Sequence, residues 1–362
     1  MEYFSKKIIL LIMTFIMSFT LNGCINKNED ESEKVEIPHY SDVIAIENNE
    51  NGSELYNINN YQLSENGSID DMTQLVYNTQ KSVYVYLVNL AKEGQLRNNK
   101  MIIVYNGIKS EVKDFFTAMD IELNSSGDKI AYRTFKSNSL DSAQGMRIYD
   151  LKDKKYVKLN SKVLVSGNLY KWLDDHRIIY YGSIEGKKDS DKIYMYDFNT
   201  HKEQVYLNDT EGYCMYFTSA GNNLLFLSRA GESLYLYYYE CKSNQIKLLS
   251  NDFTGIYDSI SDDKSGNIFF FASIGKDETA LYKFNINDNK LERITYDFPQ
   301  NIKISAGISK DEKGNIYFIG VGNEQNSGDV FMYDIDKKSI NIISDHEGNY
   351  SIYGDRGKVI FN

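Results

Sequence analysis

The chain is short of residues that break regular backbone or stitch a fold together: 362 residues contain 2 Pro, 1 Trp and 3 Cys. Three cysteines cannot build a disulfide framework, so the fold rests on burial. Histidine is as scarce, with only His39, His176, His201 and His346. There is no Gly-x-Ser-x-Gly elbow, no Gly-rich phosphate cradle and no His/Cys cluster at zinc spacing. These absences remove the familiar signatures of hydrolase, nucleotide and zinc chemistry, and neither a cofactor nor a metal is expected. Positive charge is also in deficit: 40 Lys+Arg against 51 Asp+Glu leave a formal net charge of −11. A basic footprint for nucleic acid is excluded. What is abundant is 30 Tyr and 18 Phe within 42% apolar residues. That is enough to build a core, and it is biased toward side chains that suit a pleated surface.

The N-terminus carries an address. Lys6 and Lys7 precede an apolar run over residues 8–21, too short to span a bilayer as a helix and of the right length for an export signal. Leu21-Asn22-Gly23-Cys24 resembles the lipobox of bacterial lipoproteins. The resemblance implies cleavage after residue 23, with Cys24 carrying an S-diacylglycerol and an N-acyl (palmitate-type) chain. Each buried CH₂ contributes about 0.8 kcal/mol, and two or more chains anchor stably where one is marginal. The partner so implied is the lipid bilayer, at the extracytoplasmic face of the cell membrane. An ordinary cleaved signal is the alternative. Residues 24–41 are expected to form the lipidated terminus and a flexible, charge-rich tether, and residues 42–362 one domain. Cys214 and Cys241 remain, either as a disulfide or as two separate thiols.

That domain is repetitive. Tyrosines at 105, 149, 196, 239, 282 and 333, and more weakly at 56, close short strands at spacings of 43 to 51 residues. Each unit also holds a Gly turn followed by a continuous apolar run, as in Gly221-Asn222-Asn223-Leu224-Leu225-Phe226 and Gly266-Asn267-Ile268-Phe269-Phe270. A period in the forties with four short strands per unit is the pattern of a β-propeller blade, and unbroken apolar runs mean burial on both faces. The fold expected is all-β: a propeller of four-stranded antiparallel blades, seven by this count with six or eight left open. One unit's strands are placed near 213–217, 222–228, 233–239 and 245–249. Gly357-Lys358-Val359-Ile360-Phe361 repeats the second-strand motif, so the ring is expected to close by mixing it with N-terminal strands at 43–46 and 55–58.

Asn124-Ser125-Ser126-Gly127-Asp128-Lys129-Ile130-Ala131-Tyr132 and Met146-Arg147-Ile148-Tyr149-Asp150-Leu151 resemble the WD40-like repeat of TolB-type and dipeptidyl-peptidase-IV-type propellers. The resemblance covers residues 43–362 as architecture and implies little about activity.

Asp262-Asp263-Lys264-Ser265-Gly266-Asn267, Asp311-Glu312-Lys313-Gly314-Asn315 and Asn285-Ile286-Asn287-Asp288-Asn289 lack calcium-loop spacing and read as tight turns. His176 and His201 fall in hairpin turns. The longer loops, 91–99, 135–144, 184–191 and 322–328, are expected on one face. They carry Arg97, Lys187 and Lys188 beside Asp141, Glu185, Asp189 and Glu324.

With no catalytic set in view, the favoured reading is a non-catalytic, monomeric surface lipoprotein that binds an envelope protein or an extracellular ligand such as a glycan. The rival is an envelope carbohydrate hydrolase or lyase using carboxylates at a channel mouth. A channel lined by close carboxylates or an Arg–Tyr–carboxylate set favours the rival; one lined by small and apolar residues favours the binder.

Overall fold

A computed structural model describes residues 33–49, 52–69, 72–90, 96–275, 278–322 and 327–356. The lipobox-like segment with Cys24, and residues 357–361 with their repeat motif, lie outside them. The described residues form seven antiparallel sheets arranged as the blades of a propeller. Blades 1 to 6 follow one another along the chain, with inner strands Met72–Asn78, Thr117–Leu123, Val163–Trp172, Tyr213–Ala220 and Phe253–Asp262, and, in blade 6, the pieces Asn301–Ile302 and Ser309–Lys310. Blade 7 mixes the termini: Tyr350–Gly354 is its inner strand and Val43–Asn49, Gly52–Asn59 and Gln62–Ile69 complete it. The ring therefore closes as expected. The C-terminal contribution, however, is the inner strand at 350–354, and Val43–Asn49 fills the second-strand place expected for residues 357–361.

The repeating tyrosines all fall on third strands. Tyr56, Tyr105, Tyr149, Tyr196, Tyr239, Tyr282 and Tyr333 lie in Gly52–Asn59, Asn99–Tyr105, Ala143–Asp150, Lys192–Asp197, Ser233–Glu240, Thr279–Asn285 and Asp329–Asp334. Among the described residues the apolar core is divided rather than central. Seven apolar clusters each fill one interface between neighbouring blades. The unbroken runs serve two clusters at once, because successive side chains of a strand point to opposite faces. Leu224 and Phe226 face blade 3, while Leu225 and Leu227 face blade 5. Val43 and Ala45 face blade 6, while Ile44 and Ile46 face blade 1. Cys214 and Cys241 are separate thiols in the cluster between blades 3 and 4.

The turns between first and second strands form a polar ring of their own. Around the circle, Asn78 donates to the Ser125 carbonyl (2.9 Å) and Asn124 to the Asp175 carbonyl (2.8 Å). Arg177 donates to Asn222 (3.1 Å), and the Gly221 amide to Asp263 (2.8 Å). Lys310 pairs with Asp262 (2.7 Å), the Glu312 amide donates to Asp42 (3.1 Å), and the Thr79 amide donates to Asp355 (3.3 Å). Every blade junction is crossed at least once, so this face locks the circle. Gly127, Gly221, Gly266 and Gly314 supply the positive φ that these turns need.

The packed body begins earlier than residue 42. Val35 donates to the Gly107 carbonyl (2.9 Å), and Val35, Ile37 and Tyr40 pack on the cluster between blades 7 and 1. Tyr40 meets Tyr77 and Tyr84 edge-on at 5.4 and 5.2 Å. The last residues of the expected tether are thus apolar enough to be held down.

Candidate functional site

The inner strands of all seven blades surround a central cavity of about 550 Å³. In blades 1 to 5 each inner strand slips register against its neighbour, and in blade 6 a 3₁₀ turn, Ile304–Ala306, interrupts it. Such bulges re-aim side chains and tighten curvature. In blade 2 the bulge holds Asp120 at a left-handed φ of 58°, a conformation Asp tolerates better than most residues.

The charged side chains of the channel are Asp120, Glu122, Lys171, Asp258 and Arg356, with Tyr216, Tyr257 and Tyr353 among the lining groups. Asp120 is paired with Arg133 of its own blade (2.7 Å). Burial raises its carboxyl above the ordinary value, with Arg133 opposing. Glu122 is paired with Lys171 of blade 3. Burial alone would raise it too, but the attraction of Lys171 and Arg356 and the Lys171 hydrogen bond outweigh that and hold it below its usual value. Asp258 has no ion pair among the described residues: burial dominates, and its carboxyl is raised. Arg356 makes no hydrogen bond or ion pair among the described residues and lines both the channel and two smaller cavities next to it.

Hydrogen bonds from neighbouring blades fix the surroundings of these groups. Tyr170 donates to the Asp120 carbonyl (2.6 Å), Trp172 Nε1 to the Glu122 carbonyl (2.9 Å), and Tyr216 to Ser259 Oγ (2.6 Å). The site is polar: three carboxylates line it against Lys171 and Arg356, with Arg133 paired to Asp120 outside the lining. By composition it is therefore not the small, apolar channel that the binder reading expected.

None of the four histidines lines the channel. His176 and His201 sit in turns, where His176 lies 3.3 Å from Asp174. His346 lies 3.2 Å from Glu47 and 3.1 Å from the Tyr350 hydroxyl. The stretches read as tight turns use their carboxylates within the fold: Asp311 accepts from the Lys313 and Asn315 amides (both 2.9 Å), and Asp262 holds Lys310. The described parts of the long loops join second to third strands on one face, as expected. Arg97, Asp141, Glu185, Lys187, Lys188 and Asp189 are exposed there; Glu324 lies outside the described residues. The channel residues escaped sequence reading because they come one or two at a time from strands 50 or so residues apart. The available signal was the polar inner strand of each unit, as in Asp120-Ile121-Glu122.

The model of the prolyl oligopeptidase N-terminal β-propeller domain matches residues 76–293. The chain belongs to this family. Among solved structures, this propeller resembles the uncharacterized protein lmo1340 of Listeria monocytogenes EGD-e, at 14% identity and a TM-score of 0.53 over 88% of this chain and 95% of that one. It also resembles the acylaminoacyl peptidase of Pyrococcus horikoshii, at 15% and 0.51, covering 76% of this chain but 46% of that one. The β-propeller domain of the Trilobed protease from Pyrococcus furiosus superposes at 13% and 0.50 over 76% and 83%. That domain has an open velcro topology, whereas blade 7 here is zipped from both termini. At these identities the likeness is one of fold. No curated protein matches the sequence.

Proposed function

We propose that this family propeller is a membrane-anchored surface lipoprotein, held through an acylated Cys24, that works as a non-catalytic binding module for an envelope protein or an extracellular ligand. The observation that carries the binding reading is the pairing inside the channel. Asp120 is committed to Arg133 and Glu122 to Lys171, so two of the three carboxylates serve the ring. Exposed apolar side chains support it as well. Leu164, Tyr213, Tyr296 and Phe298, all more than 40% exposed, lie at the starts of inner strands or in the connections between blades.

A second reading has one observation in its favour. A raised Asp258 near a lowered Glu122 is the kind of divergence that separates a general acid from a base, which suits an envelope carbohydrate hydrolase or lyase. Incubation of the purified protein with cell-wall glycan decides between them. No release of reducing ends is expected; release that disappears in Asp258→Asn overturns the binding reading.

A further inference from the structure

In blades 4 and 5 the register slips of the inner strands fall at channel residues. Pairing with the second strand passes over Met215, between Cys214 and Tyr216, and over Tyr257, between Ile256 and Asp258. A regular strand sends successive side chains to opposite faces, yet Met215 and Tyr216 both line the channel, and so do Tyr257 and Asp258. The bulges have re-aimed them. Met215 and Tyr257 are 41% and 43% exposed. Ile304, in the turn that interrupts the inner strand of blade 6, lines the same cavity and is 39% exposed. Three neighbouring blades thus turn an apolar arc toward the channel.

The arc is held at its centre. The Tyr257 hydroxyl shares a hydrogen bond with Ser273 Oγ at 2.9 Å. Its ring lies over Gly255, where a Cβ would come within 2.8 Å of the hydroxyl oxygen and 3.0 Å of the ring carbon that bears it. Glycine at 255 therefore makes the space in which the ring lies along its own strand.

Beside the arc stand two charges with no partner of opposite sign in contact. Asp258 Oδ1 accepts the Ser259 amide at 2.8 Å, and Oδ2 takes no hydrogen bond among the described residues. Arg356, on the same cavity, attracts Asp258 without touching it. Asp120 and Glu122 are already offset by Arg133 and Lys171. The unmatched charges of the channel are thus one negative and one positive.

We infer that the channel binds a free α-amino acid with a bulky apolar side chain, its ammonium on Asp258, its carboxylate on Arg356 and its side chain against Met215, Tyr257 and Ile304. The inference rests on the binding-module reading and narrows the extracellular ligand to one class. A zwitterion matches both open charges, whereas an amine or a phosphate alone matches one. A neutral sugar could stack on Tyr257 but would offset neither, and an enclosed charge is best satisfied by an opposite one with hydrogen bonds. Tyr257 and Asp258 are consecutive, so a guest held by Asp258 has its apolar part only a bond or two from its ammonium. An α-amino acid carries ammonium, carboxylate and side chain on one carbon. The cavity of about 550 Å³ falls in the range of roughly 300–1,000 Å³ usual for small-molecule sites.

The test is calorimetric titration of the full chain in detergent micelles with L-leucine, L-methionine and L-phenylalanine. At least one is expected to bind. Its N-acetyl derivative, which lacks the ammonium, and its amide, which lacks the carboxylate, are each expected to bind about tenfold more weakly or worse. These derivatives probe the charges on the wild-type protein, so the result does not depend on a variant folding. Asp258→Asn and Arg356→Gln are each expected to weaken binding about tenfold, and Lys187→Gln on the exposed loop face to leave it unchanged. Binding of none of the three amino acids, equal binding of the blocked derivatives, binding of glucose in their place, or full affinity in Asp258→Asn each overturns the proposal. These failures leave the binding-module reading standing, since that reading falls on glycan turnover instead.

Discussion

Lys171 on the inner strand of blade 3 reaches Glu122 on the inner strand of blade 2, so an ion pair bridges two neighbouring blades inside the channel. The Trp172 indole, one residue on, donates to the Glu122 carbonyl at 2.9 Å. Strand order and channel chemistry are joined at this junction.

Removing one member of the pair strands the other. Lys171→Met is expected to lower unfolding free energy by about 2–3 kcal/mol, under the roughly 3–5 of a fully buried pair because water in the channel reaches both groups. Lys171→Met combined with Glu122→Gln is expected to regain most of the loss. Urea midpoints of the two single variants and the double variant measure the coupling.

Asp258 gives a pH dependence of opposite sign to Glu122. Its folded carboxyl titrates above the unfolded value of about 3.9, so below that pH both states are protonated and the group is neutral to stability. As pH rises through the folded value, the folded state bears the cost of an enclosed charge. Asp258→Asn is therefore expected to raise the melting temperature at pH 7 and to leave it unchanged near pH 3.5. Glu122, lowered in the folded state, contributes stability above its unfolded value that is lost as pH falls through the folded one. Melting curves of Asp258→Asn and Glu122→Gln across pH 3–8 separate the two.

Closure of the ring depends on contacts between the chain ends. Asp355 accepts from the Thr79 amide at 3.3 Å, and the Tyr77 hydroxyl donates to the Ser41 and Asp42 carbonyls at 3.0 and 3.1 Å. Asp355→Ala leaves the half-buried Thr79 amide short of a partner and is expected to cost about 1–2 kcal/mol. The same change at exposed Asp153 is expected to leave the denaturation midpoint where it was.

The two thiols are expected to react unequally. Cys214 is fully buried and its thiol is pushed up to about 12, by burial first, while Cys241 is partly exposed. Maleimide labelling of the native protein is expected to reach Cys241 long before Cys214. Equal rates would contradict the packing between blades 3 and 4.

Much of the ring was legible because blade packing repeats. A strand buried on both faces must be apolar at consecutive positions, and a third strand that feeds an interface keeps its tyrosine, so Tyr149, Tyr196, Tyr239, Tyr282 and Tyr333 mark blades directly. The closing blade was read less well, because its four strands come from opposite ends of the chain and the motif at 357–361 resembles a second strand that Val43–Asn49 supplies instead. The channel was not legible. Asp120, Glu122, Lys171 and Asp258 come from three bulged inner strands, and a bulge shifts which side chain faces inward without leaving a period in the sequence. The interblade contacts on the turn face were hidden for a related reason: Asp263 reads as an ordinary turn residue until the neighbouring blade is in place.

The claim that this ring works from a membrane anchor is tested most directly by fractionating cells that express the full chain or its Cys24→Ala variant. The wild-type protein is expected in the membrane fraction, extractable only with detergent, and Cys24→Ala in the soluble or secreted fraction. Retention of Cys24→Ala in the membrane at the wild-type level would contradict the account.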